Sequence, residues 1–221
     1  MILVGAVACS SPSGSSPIRV PQTVGPSFVR SSSLNFKVFT AGQTPGFPAG
    51  AVALDIASGR GGTMWFTNFN RDEPAIGRIS ADGTFEEFSS GLRPDARPYS
   101  IIAGPDGNMW FSDSGGVAIG KITPQGSITE YVSSKYAHRS AKGIALGPSG
   151  EPWFLAIDVR RGGDEPPLLA HLNRNGTIEA QILPAGMDPV PGAALAADGG
   201  NLWFVALIRN RHVGELVERR A

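Results

Sequence analysis

The sequence lacks several features on which catalytic and disulfide-stabilised proteins often rely. Its single cysteine, Cys9, cannot form a disulfide within the chain. No two of the three histidines have metal-ligand spacing, and no serine-centred nucleophile elbow is present. The 19 basic residues are balanced by 19 acidic ones and form no stripe, so we expect no nucleic-acid partner.

The N-terminal apolar run is also short, since its eight residues are too few to span a bilayer. It ends in "AVAC" (Ala6–Cys9), which resembles the lipobox of a bacterial lipoprotein signal, with Cys9 as the acylated residue. The serine-rich tract up to Ser33 predicts a flexible tether. We therefore expect residues 1–33 to be signal remnant and linker and residues 34–221 to be one folded domain. The protein would be extracytoplasmic and would touch a membrane only through a lipid at Cys9; the alternative is a disordered apolar tail with an incidental cysteine.

What the chain does have is a repeated aromatic pair. Each of its four tryptophans is followed by phenylalanine, and the tryptophans stand at positions 65, 110, 153 and 203. The spacings are therefore 45, 43 and 50 residues. Self-similarity at this period predicts a solenoid or a propeller.

One complete repeat, residues 100–132, distinguishes the two. It indicates four short strands joined by two glycine-containing turns, and the Asp-Gly pair within Pro105–Asn108 tolerates the positive φ of tight hairpins. No part of the repeat is long and periodic enough to be a helix. The predicted fold class is therefore all-β, a β-propeller of four-stranded antiparallel blades. The Trp and Phe of the second strand should point to opposite faces and pack against neighbouring blades.

The two chain ends suggest how the ring closes. The last repeat, residues 213–221, stops where its fourth strand should begin, and "FKVF" (Phe36–Phe39) aligns with "FEEF" (Phe85–Phe88). An N-terminal strand could therefore complete the C-terminal blade and close a four-bladed ring, which removes exposed sheet edges. The alternatives are an open arc completed by dimerisation and a fragment of a larger ring.

The pattern "GPDGNMWFSD…IGKITPQGSITEY" (residues 104–131) resembles the repeat of the streptogramin B lyase, or virginiamycin B lyase, family. The resemblance extends over residues 36–221 and implies a propeller, seven-bladed in that family. It also implies magnesium-dependent opening of a cyclic depsipeptide ester by elimination, in which a base removes a proton and the metal stabilises the developing charge. The family's base is a histidine just before an inner strand, and acidic residues often follow the second strand.

Carried over to this chain, those positions have different residues. The histidine positions correspond approximately to Ala49, Tyr99, Lys142 and Gly192, and the acidic ones to Asn68, Asp113, Ala156 and Ala206. The remaining catalytic candidates are thus Tyr99, Lys142 and His138, which precedes Lys142 in a blade connection. Asp113 is the one carboxylate that could bind a metal. No cofactor is expected with certainty, and Mg²⁺ is expected only if the lyase activity is present.

The loops on the same side of the blades are rich in arginine, with interspersed acids and aromatic residues. Such a surface has the residue types that interfaces favour, and arginine can hold a carboxylate. We predict a binding surface for a small polar ligand or a protein, with these members: Asn68, Arg71, Arg97, Asp113, Arg139, Arg160, Arg209 and His212. The alternative is that the charges only keep the loops soluble. The sequence therefore leaves two functions open, a binding propeller and a divergent lyase.

Overall fold

The computed structural model describes residues 6–7, 27–31, 34–136, 138–160, 165–189, 195–198, 201–208 and 214–219. These residues form nineteen β-strands and two short 3-10 turns, Arg60–Gly62 and Ser134–Tyr136. In the described part of the chain, no helix has the length and apolarity needed to cross a membrane. The all-β prediction is confirmed.

Three complete blades follow one another along the chain, each an antiparallel sheet whose strands pair in sequence order. The first consists of β4 (Ala53–Ser58), β5 (Met64–Asn68), β6 (Ala75–Ile79) and β7 (Phe85–Phe88). The second consists of β8 (Pro98–Ala103), β9 (Met109–Asp113), β10 (Ala118–Ile122) and β11 (Ile128–Val132). The third consists of β12 (Arg139–Leu146), β13 (Pro152–Asp158), β14 (Leu168–Leu172) and β15 (Ile178–Ile182).

The fourth sheet has a different make-up. It contains β16 (Met187–Pro189), β17 (Leu195–Asp198), β18 (Asn201–Ile208) and β19 (Gly214–Arg219). Both β16 and β17 pair with β18, at successive parts of its length, and β19 pairs with β18 as well. Together β16 and β17 occupy the place of one inner strand, so the described residues supply three strand positions in this blade.

The predicted closure of the ring by Phe36–Phe39 is not confirmed. This segment belongs to β3 (Leu34–Phe39), which pairs with β2 (Ser27–Ser31) and β1 (Ala6–Val7), whereas β19 pairs with β18. Inner strands contact one another in the order β4, β8, β12 and β17, and no comparable contact joins β4 to β17 within the described ranges. The inner strands thus follow an arc.

The exposure of the inner-strand isoleucines supports this arrangement. Ile101 and Ile144, which follow a preceding inner strand, are 2% and 4% exposed. Ile56, at the corresponding place in β4, is 45% exposed. Among the residues that the structure describes, no preceding blade covers Ile56 in the way that β4 and β8 cover the other two.

The aromatic pair packs as the sequence predicts. Trp65 lies in one apolar cluster with Ile101 and Phe111 of the second blade, while Phe66 faces the other way, towards Phe47. The third blade repeats this arrangement, with its Trp and Phe in the clusters shared with the fourth and second blades. The first and third blades therefore bury aromatic rings on both faces, and this burial holds neighbouring sheets together.

A glycine opposite the Phe explains the recurring "IG" of the third strand. A Cβ atom on Gly77 would lie 2.0 Å from the Phe66 ring, and one on Gly120 would lie 1.9 Å from Phe111. Neither distance is compatible with a side chain, so the ring occupies the space that glycine leaves open.

Each blade has two ends of different character. At one end are the glycine turns, such as the turn in which Gly107 has φ +84° and Asp106 accepts a hydrogen bond from the Asn108 N–H. We name this end the turn face. At the other end are the loops between second and third strands and the connections between blades, which together form the loop face.

Candidate functional site

The inner strand of each complete blade contains a β-bulge near the loop face. The pairing with the second strand shifts at corresponding places: between Ala53 and Ile56, between Pro98 and Ile101, and between Ala141 and Ile144. A bulge bends its strand and re-aims side chains. Tyr99 and Lys142, two of the predicted catalytic residues, occupy corresponding positions in the second and third bulges.

The register corrects the position assigned in the first blade. Leu54, not Ala49, corresponds to Tyr99. Leu54 directly follows Ala53, which pairs with Asn68 at the end of β5. Tyr99 likewise directly follows Pro98, which pairs with Asp113 at the end of β9. Leu54, Tyr99 and Lys142 each stand eleven residues before the tryptophan of their blade, so the sequence itself contains the correct correspondence.

Side chains from three consecutive blades meet around Tyr99. The Lys142 ammonium lies 4.2 Å from the centre of the Tyr99 ring. Phe69, which follows β5, contacts the same ring edge-on, with ring centres 6.0 Å apart and planes at 79°. All three side chains are partly exposed, so a molecule in solvent can reach them. We name Phe69, Tyr99 and Lys142 the inner cluster.

Burial changes the acid–base properties of the inner cluster. It lowers the pKa of Lys142, because loss of water destabilises the ammonium ion. Burial raises the pKa of Tyr99, and the negative charge of Asp55 acts in the same direction. Among the described residues no carboxylate lies within ion-pair distance of Lys142. The Tyr99 ring is therefore the cation's close contact.

Asp55 joins the first two blades beside this cluster. Its Oδ2 atom accepts a hydrogen bond of 3.0 Å from the Ile101 N–H, and Oδ1 accepts one of 2.9 Å from the Ile56 N–H. Nothing in the sequence indicates this role of Asp55, because an acidic residue in an alternating strand is expected to face solvent.

Asp113 is fully buried instead of open to the loop face. Its Oδ2 atom accepts a 2.6 Å hydrogen bond from the Arg93 guanidinium, and Oδ1 accepts bonds from the N–H groups of Arg97 (2.6 Å) and Gly115 (2.8 Å). Glu130 joins the network, since its Oε2 atom accepts a 2.7 Å bond from the Arg93 N–H. These contacts fasten the blade connection, residues 91–97, onto the second blade.

The second carboxylate of this network titrates abnormally. Burial raises the pKa of Glu130 to about 7, and the adjacent charge of Asp113 acts in the same direction against the Arg93 donors. Sequence analysis missed Glu130 because "SITEY" alternates like a solvent-exposed outer strand. Only the connection that folds over the strand makes this glutamate buried.

The first blade has a version of the same arrangement in which an amide replaces one of the two carboxylates. Asn68 stands in the place of Asp113, and Glu87 in that of Glu130. Asn68 is 1% exposed; its Oδ1 accepts a bond of 2.8 Å from the Val52 N–H, and its Nδ2 donates to the Glu87 carboxylate. Both predicted binding residues, Asn68 and Asp113, are thus engaged inside the protein.

The remaining predicted residues are placed differently. His138 and Arg71 are exposed, and His138 has a φ of +68°. Arg139 is buried and donates to the Pro166 carbonyl and to Glu165.

Arg160 is exposed and pairs with Asp158 and Glu165. Arg97 is partly buried and contributes its backbone N–H to Asp113. Cys9, Arg209 and His212 lie outside the described residues. Of the predicted catalytic residues, the structure therefore brings together Tyr99 and Lys142, and of the predicted binding residues Arg97 meets Asp113 through its backbone N–H.

The donor set around Asp113 does not fit Mg²⁺. Magnesium takes carboxylate oxygens together with water or substrate oxygens, whereas both oxygens of Asp113 already accept N–H donors and are shielded from solvent. In the part of the chain that the structure describes, no group of three or more His, Cys, Asp or Glu side chains could hold a metal ion. Asp113 serves here as an acceptor that holds the blade connection.

Comparison with solved structures shows that the chain is similar in fold to lyase and gluconolactonase structures. It is similar to a catalytically inactive virginiamycin B lyase from Staphylococcus aureus determined with quinupristin (25% identity, TM-score 0.58, covering 85% of this chain and 59% of that one). It is also similar to the selenomethionine-substituted S. aureus enzyme (27% identity, TM-score 0.55, covering 84% and 59%). A gluconolactonase from Xanthomonas campestris shares the fold (19% identity, TM-score 0.52, covering 77% and 59%).

The chain spans about 59% of the length of the virginiamycin B lyase that it matches. A search of curated protein sequences gave no match. The model of the virginiamycin B lyase family matches residues 37–219, which is most of the chain and includes every blade described above. The chain therefore belongs to the virginiamycin B lyase family.

Proposed function

We propose that the protein is an extracytoplasmic lipoprotein that binds a small ligand carrying a carboxylate group at the inner cluster of its loop face. The observation that carries the proposal is the position of Lys142, a half-buried cation that contacts an aromatic ring and has no acidic partner among the described residues.

The chemistry of the inner cluster supports this choice of ligand. A lysine whose pKa is lowered by burial gains from a bound anion, because the anion replaces the lost solvation of the ammonium ion. The rings of Tyr99 and Phe69 offer an apolar contact beside that charge. A carboxylate attached to an aromatic or aliphatic group matches both features.

Calorimetric titration with N-acetylphenylalanine tests the proposal. We expect Lys142→Met to weaken binding at least about tenfold, which corresponds to about 1.4 kcal/mol. Lys135→Met is the matched control, because Lys135 also lies over a tyrosine, 5.2 Å from the centre of the Tyr136 ring, but is exposed. Equal affinity for the neutral N-acetylphenylalaninamide, or unchanged binding by Lys142→Met, would show that the cluster does not bind carboxylates.

The lipid anchor is tested separately. In a bacterial host, labelled palmitate should enter the wild-type protein and should not enter the Cys9→Ser variant, since acylation requires the thiol. Equal labelling of both proteins would remove the lipoprotein part of the proposal and leave the binding part unaffected.

Lyase activity is the second candidate, and the lowered pKa of Lys142 favours it. A smaller preference for the ammonium form makes the neutral amine more available as a base for proton abstraction. Mass spectrometry of quinupristin incubated with the protein, with and without Mg²⁺, would detect ring opening. Activity that Lys142→Met abolishes supports the candidate, and an unaltered substrate excludes it for this compound.

A further inference from the structure

The interfaces between neighbouring blades have corresponding residues on the turn face, yet they pack differently. At each interface a third-strand residue pairs with the tryptophan beside it: Arg78 with Trp65, Lys121 with Trp110, and His171 with Trp153. Because the backbone register is shared, these three side chains occupy corresponding positions.

The first interface is closed by Arg78. Its guanidinium lies 5.3 Å from the ring centres of both Trp65 and Phe88 and donates a 2.5 Å hydrogen bond to the Pro124 carbonyl in the turn of the next blade. Trp65 is consequently only 3% exposed. Arginine fills this space because its planar fork can stack on rings and reach a carbonyl at the same time.

The second interface is open. Lys121 lies over the Trp110 ring, 5.5 Å from its centre, but makes no hydrogen bond to the turn of the next blade in the described residues. That turn also stands further away. A Cβ atom on Gly176 would be 3.2 Å from the Tyr131 ring, whereas one on Gly126 would be 2.3 Å from Phe88. A cavity of about 430 Å³ remains between the second and third blades.

The cavity has an aromatic floor and a polar wall. The Trp110 and Tyr131 rings are nearly parallel, with centres 6.2 Å apart and planes at 25°, and both are partly exposed. On the wall, Glu151 Oε1 accepts a 2.8 Å bond from the Trp153 indole N–H. The other carboxylate oxygen, Oε2, and the Nδ1 atom of His171 are buried without a protein partner. We name this cavity the turn-face groove.

The wall offers acceptors and the rim offers donors. Burial would raise the pKa of Glu151, but the Trp153 donor, backbone N–H groups and His171 outweigh it and lower the pKa, so the carboxylate is ionised at neutral pH. Arg174 stands exposed at the rim. A buried carboxylate oxygen without a partner is costly, and a ligand hydroxyl would relieve that cost.

We propose that the turn-face groove binds a saccharide of one or two pyranose rings. A pyranose presents a flat face of C–H bonds to an aromatic floor, while its ring of hydroxyl groups donates to acceptors and accepts from donors. The volume of the groove lies in the range of small-molecule sites. This site is at the opposite end of the blades from the inner cluster and is independent of the function proposed there.

The test fills the groove with the same side chain that closes the first interface. The Lys121→Arg substitution introduces the guanidinium that Arg78 uses at the first interface, and the carbonyl of Arg174 corresponds to its acceptor there. Maltose, cellobiose and N,N′-diacetylchitobiose serve as probes, with calorimetry and tryptophan fluorescence as readouts. We expect one of these disaccharides to bind the wild-type protein and to bind Lys121→Arg at least about tenfold more weakly, at an unchanged melting temperature.

Two further proteins make the result decisive. Arg78→Lys is the matched control at the first interface and should leave the affinity unchanged, whereas Glu151→Gln should weaken it by removing the ionised acceptor. The proposal is overturned if none of the three disaccharides binds, or if Lys121→Arg binds as tightly as the wild type. Binding of indole-3-acetate in place of the sugars would show that the groove takes an aromatic anion and would equally overturn it.

Discussion

The second and third blades have the same strand register around very different interiors. The second encloses a charged network of Asp113, Glu130 and Arg93. In the third, Ala156 and Ala180 stand at the two carboxylate positions, as the strand pairing shows. Arg93 stands five residues before Pro98, which pairs with Asp113 in the second blade. Tyr136 stands five residues before Ala141, which pairs with Ala156 at the corresponding place in the third blade.

Between the second and third blades, all three of these positions therefore differ. Tyr136, Ala156 and Ala180 pack in one apolar cluster, so the third blade buries no charge at these three positions. A buried carboxylate is tolerated only with donors around it, and a buried donor only with its acceptor. Trp-Phe packing and the glycine turns fix the backbone, and each blade then fills the loop-face end in its own way.

Introducing one charge into the apolar loop-face end of the third blade should have the largest effect on stability. Ala156 is fully buried, and Ala156→Asp would place a carboxylate there without the Arg93 guanidinium of the second blade. We expect a loss of about 3–5 kcal/mol in the free energy of unfolding, measured by urea denaturation. Thr129→Asp, on the exposed side of an outer strand, should change it by no more than about 0.5 kcal/mol. A stable Ala156→Asp protein would show that the third blade can supply donors.

Removing the Arg93 cation from the charged network of the second blade should have the second-largest effect on stability. Arg93→Met leaves Asp113 and Glu130 buried with 0% and 3% side-chain exposure and without their guanidinium partner. A loss of about 3 kcal/mol is expected in the same assay, because a broken buried pair leaves uncompensated charge. Lys135→Met, which removes an exposed cation, should cost much less. Equal effects would mean that the buried network contributes no more than surface charge.

The pH dependence of stability should separate the two blades further. Glu130 has an ordinary pKa of 4.5 in the unfolded chain and one of about 7 when folded, so the folded state binds more protons between these values. Stability should therefore fall as pH rises through this window, by at most about 1.4 kcal/mol per pH unit. Glu87, whose pKa burial also raises, contributes with the same sign.

Urea midpoints measured between pH 4.5 and 8 check this prediction. Glu130→Gln should flatten the curve and leave the slope that Glu87 contributes, whereas the third blade has alanine at this position and so has no glutamate with a raised pKa there. A wild-type stability that rises across the window would contradict the prediction.

The smallest effect is expected at the free end of the arc. Ile56→Ala removes a side chain that is already 45% exposed and should cost less than about 1 kcal/mol. Ile144→Ala, at the corresponding and buried place in the third blade, should cost about 2–4 kcal/mol. Similar costs for the two substitutions, measured by thermal unfolding, would indicate that Ile56 is covered in solution.

The repeated motif predicted much of this molecule, because the features that define a blade are local. Strand alternation, the Asp-Gly turn and the glycine opposite Phe111 depend on residues close in sequence or in the adjacent strand. The inner cluster was found in part: Tyr99 and Lys142 follow from the repeat, whereas Phe69 as their neighbour does not. Asp55 and Glu130 were missed because their burial depends on elements from another blade or connection.

The sequence by itself determined the blade, its strand order and the direction of its aromatic side chains, since periodic burial and turn chemistry act within one repeat. Only the tertiary structure decided whether the ends of the arc meet, which carboxylates are buried, and which blade interface stays open. These outcomes depend on how side chains from successive repeats, 43 to 50 residues apart, fill a shared space.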